Sequence, residues 1–110
     1  MINFEGKQVE LYRVYNKKKR LEQMQYNVID GVEYGFYYNF EDDCYYAVNL
    51  EYGLSAAATE SEGRTEKEAF KILREKIEKL KELPADKYEK AFVEAREKLT
   101  EFGLKLPINK

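Results

Sequence analysis

Histidine and tryptophan are absent from this chain of 110 residues, and cysteine occurs once, as Cys44. Without histidine the chain lacks the commonest proton shuttle near neutral pH and the commonest metal ligand, and one thiol cannot build a thiolate metal cluster. The same lone thiol excludes an internal disulfide. No apolar run approaches the roughly 20 residues that a bilayer-spanning helix needs. The opening Met1-Ile2-Asn3-Phe4-Glu5-Gly6-Lys7 lacks the apolar centre of a signal peptide, so a cytoplasmic location without membrane contact is expected. A dominant charge is missing too. Nineteen basic and 21 acidic residues leave a formal net charge of −2, so a nucleic acid would have to be bound by a local patch. Gly31, Gly35, Gly53 and Gly63 are dispersed rather than grouped into a phosphate-cradling loop, and no cofactor is expected.

What is present suffices for a core. Hydrophobic residues make up 44% of the chain and charged residues 36%, which points to a folded chain with a well-solvated exterior rather than a disordered one. At this length residues 1–110 form a single domain. The ten tyrosines suit both half-buried strands and binding surfaces, because the ring is apolar while the hydroxyl stays wet.

Val9 and Leu11 alternate with Glu10 and Tyr12, the period of a half-buried strand, over 8–15. The tract Asn16-Lys17-Lys18-Lys19-Arg20 breaks the pattern. Met24, Tyr26 and Val28 resume it up to the turn dipeptide Asp30-Gly31. Val32, Tyr34, Phe36, Tyr38 and Phe40 then share one parity, with Glu33, Gly35, Tyr37 and Asn39 on the other. Beyond the acidic turn Glu41-Asp42-Asp43, Cys44, Tyr46, Val48 and Leu50 share a face opposite Tyr45, Ala47, Asn49 and Glu51. The stretch from Leu54 to Thr59 reads as a further strand or as irregular chain. Thr65 and Glu68 form a capping box, so a helix starts near Glu66, with Ala69, Phe70, Leu73, Ile77 and Leu80 on its apolar stripe. Leu83-Pro84 ends it. Tyr88, Ala91, Phe92, Ala95, Leu99 and Phe102 mark a second helix ending at Gly103, and the tail Leu104–Ile108 alternates as an edge strand would. The expected fold is α+β: an antiparallel sheet of four or five strands, built from two N-terminal hairpins, with two C-terminal helices packed on one face.

No catalytic constellation emerges, and the chain reads as a non-enzyme. Glu41, Asp42 and Asp43 are read as a solvated hairpin tip rather than a metal site, and Cys44, with no histidine to activate it, as a small core residue. Lys17, Lys18, Lys19 and Arg20 either contact phosphates, with Tyr12 or Tyr26 for stacking, or simply solubilise the turn. Tyr37 and Tyr45 fall on the parity opposite the expected core face. There they either project as interface anchors or are covered by the second helix.

The segment Gly63-Arg64-Thr65-Glu66-Lys67-Glu68-Ala69, with Cys44-Tyr45-Tyr46-Ala47-Val48-Asn49-Leu50 and Tyr52-Gly53-Leu54 before it, resembles the sheet-to-helix region of HicB-like antitoxin domains. The resemblance spans residues 33 to 80 and leaves the hairpin at 8–30 outside. It implies a sheet-plus-helix module that binds and masks another protein, as such antitoxins mask a small ribonuclease.

Two functional expectations follow. The first is a protein-binding module, an antitoxin-like or mobile-element-encoded inhibitor that masks a partner enzyme through Tyr37, Tyr45, Glu41, Asp42 and Asp43. If that partner acts on nucleic acid, the three acids would stand where its substrate's phosphates lie. The alternative is a nucleic-acid-binding accessory protein that uses Lys17 to Arg20. Either a monomer or a homodimer paired through an edge strand is compatible with the pattern.

Overall fold

The computed structural model describes residues 6–109, apart from the side chains of Lys81 and Tyr88. Five strands, β1 (Gln8–Tyr15), β2 (Lys18–Ile29), β3 (Val32–Asn39), β4 (Cys44–Asn49) and β5 (Ser55–Glu60), form one antiparallel sheet in sequence order. Two helices follow, α1 (Glu66–Lys79) and α2 (Ala85–Glu101), joined through a short 3-10 turn at Leu80–Glu82. The fold is the expected α+β arrangement, with the helices packed against the sheet.

The basic tract does not interrupt the strands as its composition suggests. Asn16 and Lys17 alone make the turn, and Lys18, Lys19 and Arg20 belong to β2. Both turn residues have positive φ, 49° and 65°, the geometry of a two-residue loop whose twist matches that of its strands. Asn is one of the few residues that adopts this conformation readily.

Helix α1 starts where Thr65 accepts a hydrogen bond from the amide of Glu68 at 3.2 Å. Its stripe of Ala69, Leu73 and Ile77 is buried, Leu73 and Ile77 against Ile29, Tyr34, Phe36 and Ala47 of the sheet. Phe70 closes the border of this core, edge-on to Phe36 at 5.4 Å and to Tyr45 at 5.8 Å between ring centroids. Helix α2 packs through Leu99, which is buried, and through Phe92, whose ring lies 5.2 Å from that of Tyr52. It ends in two closing bonds, Gly103 N to the carbonyl of Thr100 and Leu104 N to that of Leu99. Tyr88, expected on the same stripe, lies outside the described side chains.

The opposite face of the sheet is a second core, formed by Leu11, Met24, Tyr26, Tyr37, Val48 and Leu50. It exists because the sheet coils. Residues 18–25 of β2 pair with β1, and only 25–29 pair with β3, so the β1–β2 hairpin turns away at Gln25. In a flat sheet β1 and β4 would stand about 14 Å apart, three strand spacings. Instead the amide of Val14 donates to the carbonyl of Gly53, just beyond β4, at 2.8 Å. The guanidinium of Arg13 sits over the ring of Tyr37, two strands away, at 5.5 Å. The hairpin therefore closes over the face that α1 leaves uncovered.

The C-terminal tail adds no strand: residues 106–109 run as bends and turns around Pro107. Its neighbours serve instead. Ile108 donates to the carbonyl of Glu51 at 2.9 Å, and the side-chain amide of Asn109 brackets the backbone of Tyr12, accepting from its N–H and donating to its C=O. This covers the outer edge of β1. On β5, Lys76 donates to the carbonyl of Ala58 and Arg64 to that of Glu60, so cations occupy the other edge and disfavour strand pairing there.

Candidate functional site

An up-and-down sheet places the β1–β2 and β3–β4 turns at the same end. Tips that are separate in the sequence thus meet: Arg20 forms ion pairs with Glu41 at 2.9 Å and with Glu22 at 3.0 Å. Glu22 also takes Arg13 at 3.3 Å. Glu41 raises the guanidinium pKa of Arg20, chiefly by hydrogen bonding. Lys19 lies over Tyr12 at 4.9 Å and Lys17 over Phe102 at 5.4 Å. The tract is therefore not a bare cationic finger, because its one guanidinium is held between two carboxylates. Tyr26, a stacking candidate in the sequence, is 2% exposed and donates its hydroxyl to Glu33, away from the tip.

The acidic turn is built by hydrogen bonds. Asn39 accepts from the amides of Glu41 and Asp42 through Oδ1, at 2.9 and 3.4 Å, the usual way a short amide side chain stands in for a turn. Asp43 closes the loop at φ 53°. Its carboxylate accepts from Ser61 Oγ at 2.6 Å and from the hydroxyl of Tyr38, and Asp42 accepts from the hydroxyl of Tyr46 at 2.6 Å. Glu41 takes Tyr15 at 3.4 Å besides Arg20. Each carboxylate thus points in a direction fixed by a neighbouring donor.

Titration behaviour follows. The hydroxyls of Ser61 first and Tyr38 second hold the Asp43 carboxyl below the ordinary range, while the Tyr38 phenol is raised by the same bond. The Tyr46 phenol is pushed up to about 12, mainly by the carboxylate of Asp42 and secondly by burial. Between pH 10 and about 12 the native chain keeps a proton that the unfolded chain gives up. The stabilisation from this bond is therefore complete below pH 10 and is lost as the pH rises through the native value. Replacing Asp42 with Asn is expected to bring the Tyr46 titration back towards that of an ordinary tyrosine, about 10. Ultraviolet difference absorbance or ring-carbon NMR of the tyrosines checks this.

Of the two tyrosines read as outward anchors or as covered, neither projects. The register sets Tyr37 opposite Tyr46 and Tyr38 opposite Tyr45, so Tyr37 and Tyr45 lie on different faces. Tyr37 is 5% exposed in the core under the β1–β2 hairpin, where desolvation raises its phenol pKa against the pull of Arg13. Tyr45 is half-buried against Phe70 of α1 rather than under α2. Cys44 is a free, half-buried thiol. Among the described residues no group of three or more His, Cys, Asp or Glu is arranged to hold a metal ion.

The residue missed by periodicity is Phe40. Parity assigns it to the core face of its strand, yet β3 ends at Asn39, and Phe40 stands 86% exposed on the turn. Tyr38 and Tyr15, 40% and 41% exposed, carry the hydroxyls that reach Asp43 and Glu41. The available signal was local: an aromatic directly before three acids sits in the turn, not in the strand. No family model, curated protein or solved structure matches the chain.

Proposed function

We propose that the chain is a non-catalytic protein-binding module that masks a partner enzyme, in the manner of an antitoxin-like or mobile-element-encoded inhibitor. The β3–β4 turn is its contact, and it acts in the cytoplasm. One observation carries the reading: Phe40, 86% exposed, on a turn whose backbone and carboxylates are held by hydrogen bonds. Exposing an aromatic ring to water gains nothing for the free chain, whereas a fixed aromatic surrounded by acids loses little entropy on docking. Such a ring inserts into an apolar pocket, and Glu41, Asp42 and Asp43 meet a basic rim around it. That is the surface of an enzyme acting on nucleic acid. The resemblance to HicB-like domains is consistent with this role. The alternative of phosphate binding by Lys17 to Arg20 is disfavoured by the ion pairs that hold Arg20.

The test is capture on the tagged protein in its own host after nuclease treatment, comparing the native chain with Phe40→Asp. A stoichiometric protein retained by the native chain and lost from the variant is expected. The loss corresponds to a hot spot of about 2 kcal/mol or more, roughly 30-fold in affinity. Because Phe40 touches the core so little, the variant should unfold within about 0.5 kcal/mol of the native chain. Retention that is indifferent to Phe40→Asp, or no protein retained at all, refutes the proposal.

A further inference from the structure

Where β2 turns away from β3 at Gln25, a groove of about 390 Å³ opens between β2 and α1. Phe36 and Phe70 supply its apolar part. Its charged lining is unbalanced: Lys67, Lys71 and Arg74 against the single carboxylate of Glu68. Arg13 and Arg20 are both ion-paired, but these three cations have no carboxylate within salt-bridge distance among the described residues. Arg74 is aimed by amides. It donates to Asn27 Oδ1 at 3.2 Å, and Asn27 Nδ2 donates in turn to the backbone and side-chain oxygens of Gln25, each at 3.2 Å.

The three cations recur at i, i+4 and i+7 and so lie along one side of α1. They span about 10 Å of helix axis, more than one phosphate can bridge but suited to successive phosphates of an extended strand. The groove is open, and no glycine lines it to cradle a free nucleotide. An open groove that combines a row of cations with aromatic rings is the pattern by which proteins hold single strands.

We infer that this groove binds single-stranded nucleic acid, with the strand's phosphates on Lys67, Lys71 and Arg74 and a base against the apolar wall at Phe70. None of its lining residues belongs to the β1–β2 tip, where composition alone would put such binding, or to the acidic turn. By helical periodicity Lys71 and Arg74 fall off the apolar stripe of Ala69, Leu73 and Ile77, on the side an amphipathic helix leaves to water. Only the departure of β2 from β3 turns that side into a groove wall.

The test is fluorescence anisotropy with a labelled single-stranded RNA and DNA of about eight nucleotides. Over about 50 to 200 mM salt, contacts to two or three phosphates predict that log K falls against log salt with a slope of roughly −1.4 to −2.1. Lys71 is exposed, so Lys71→Glu spares the fold, as circular dichroism would verify; it should weaken binding about tenfold and flatten the salt slope by about 0.7. Lys67→Glu should do the same, and Lys18→Glu on the hairpin should leave the affinity unchanged. The inference is overturned by any of three results: no binding of either strand at the lowest salt, binding unaffected by both helix variants, or loss with Lys18→Glu. Tighter binding of ATP than of the oligonucleotide would overturn it too, marking a nucleotide pocket in place of a strand site.

Discussion

Phe36→Ala is expected to lower the unfolding free energy by about 3 to 5 kcal/mol, because it removes the most deeply buried ring of the core beneath α1 and leaves a cavity that the sheet cannot close. Phe36 is 1% exposed, pairs with Ala47 across β3 and β4, and meets Phe70 edge to face at 5.4 Å. For a chain of this length the loss corresponds to a fall in Tm of roughly 15 °C. Urea unfolding followed by circular dichroism measures it. The comparison that gives the number meaning is Leu11→Ala in the core under the hairpin, where about 2 to 5 kcal/mol is expected on the same grounds. If both substitutions are costly, both faces of the sheet are cores. If Phe36→Ala costs under about 1 kcal/mol, α1 is not seated on that face.

The two-faced sheet also marks where reading the sequence stops. Periods of two and of 3.6 residues were enough for four strands and two helices, because alternation and capping are local, whereas the Ala-rich stretch that forms β5 stood open between strand and irregular chain. The faces were not local. Tyr34, Phe36 and Tyr38 share a parity, as do Tyr46 and Val48, but which of these sets shares a side depends on the loop between β3 and β4. A slip of one residue there exchanges every side chain between faces. With Tyr37 opposite Tyr46, the apolar sets of the two strands fall on opposite sides, and Ala47 joins Phe36. One signal of this was on the page: from Tyr34 to Tyr38 the aromatics occupy both parities, as in strands buried on both sides. The working end was half legible. The acidic turn and the basic tract were both recognised, but their meeting through Arg20 and Glu41 is a product of strand order, and the exposure of Phe40 depends on β3 ending one residue earlier than its alternation suggests.

The coil of the sheet can be tested at one residue, Gly53, where Gly53→Val is expected to cost about 2 to 5 kcal/mol, adding a left-handed backbone penalty to overpacking. Gly53 has φ 71°, and a Cβ there would meet the amide nitrogen and Cγ2 of Val14 at 3.0 Å and Cγ2 of Ile108 at 3.3 Å. Two of those atoms belong to β1 and one to the tail that brackets it. The clash therefore strikes the contact that holds the hairpin over the second core. Gly31→Val isolates that contact, since Gly31 has a similar φ of 79° but nothing within 4 Å of the added carbon. Both variants carry the backbone penalty, and only Gly53→Val pushes the hairpin away. Its excess cost should appear together with faster hydrogen exchange at the amides of Tyr12 and Val14, whose acceptors are Asn109 and Gly53. Equal cost and equal exchange in the two variants would mean that the hairpin does not close over the sheet in solution. Leu11 and Met24 would then lose the burial that the structure gives them, and Arg20 could no longer be held against the acidic turn.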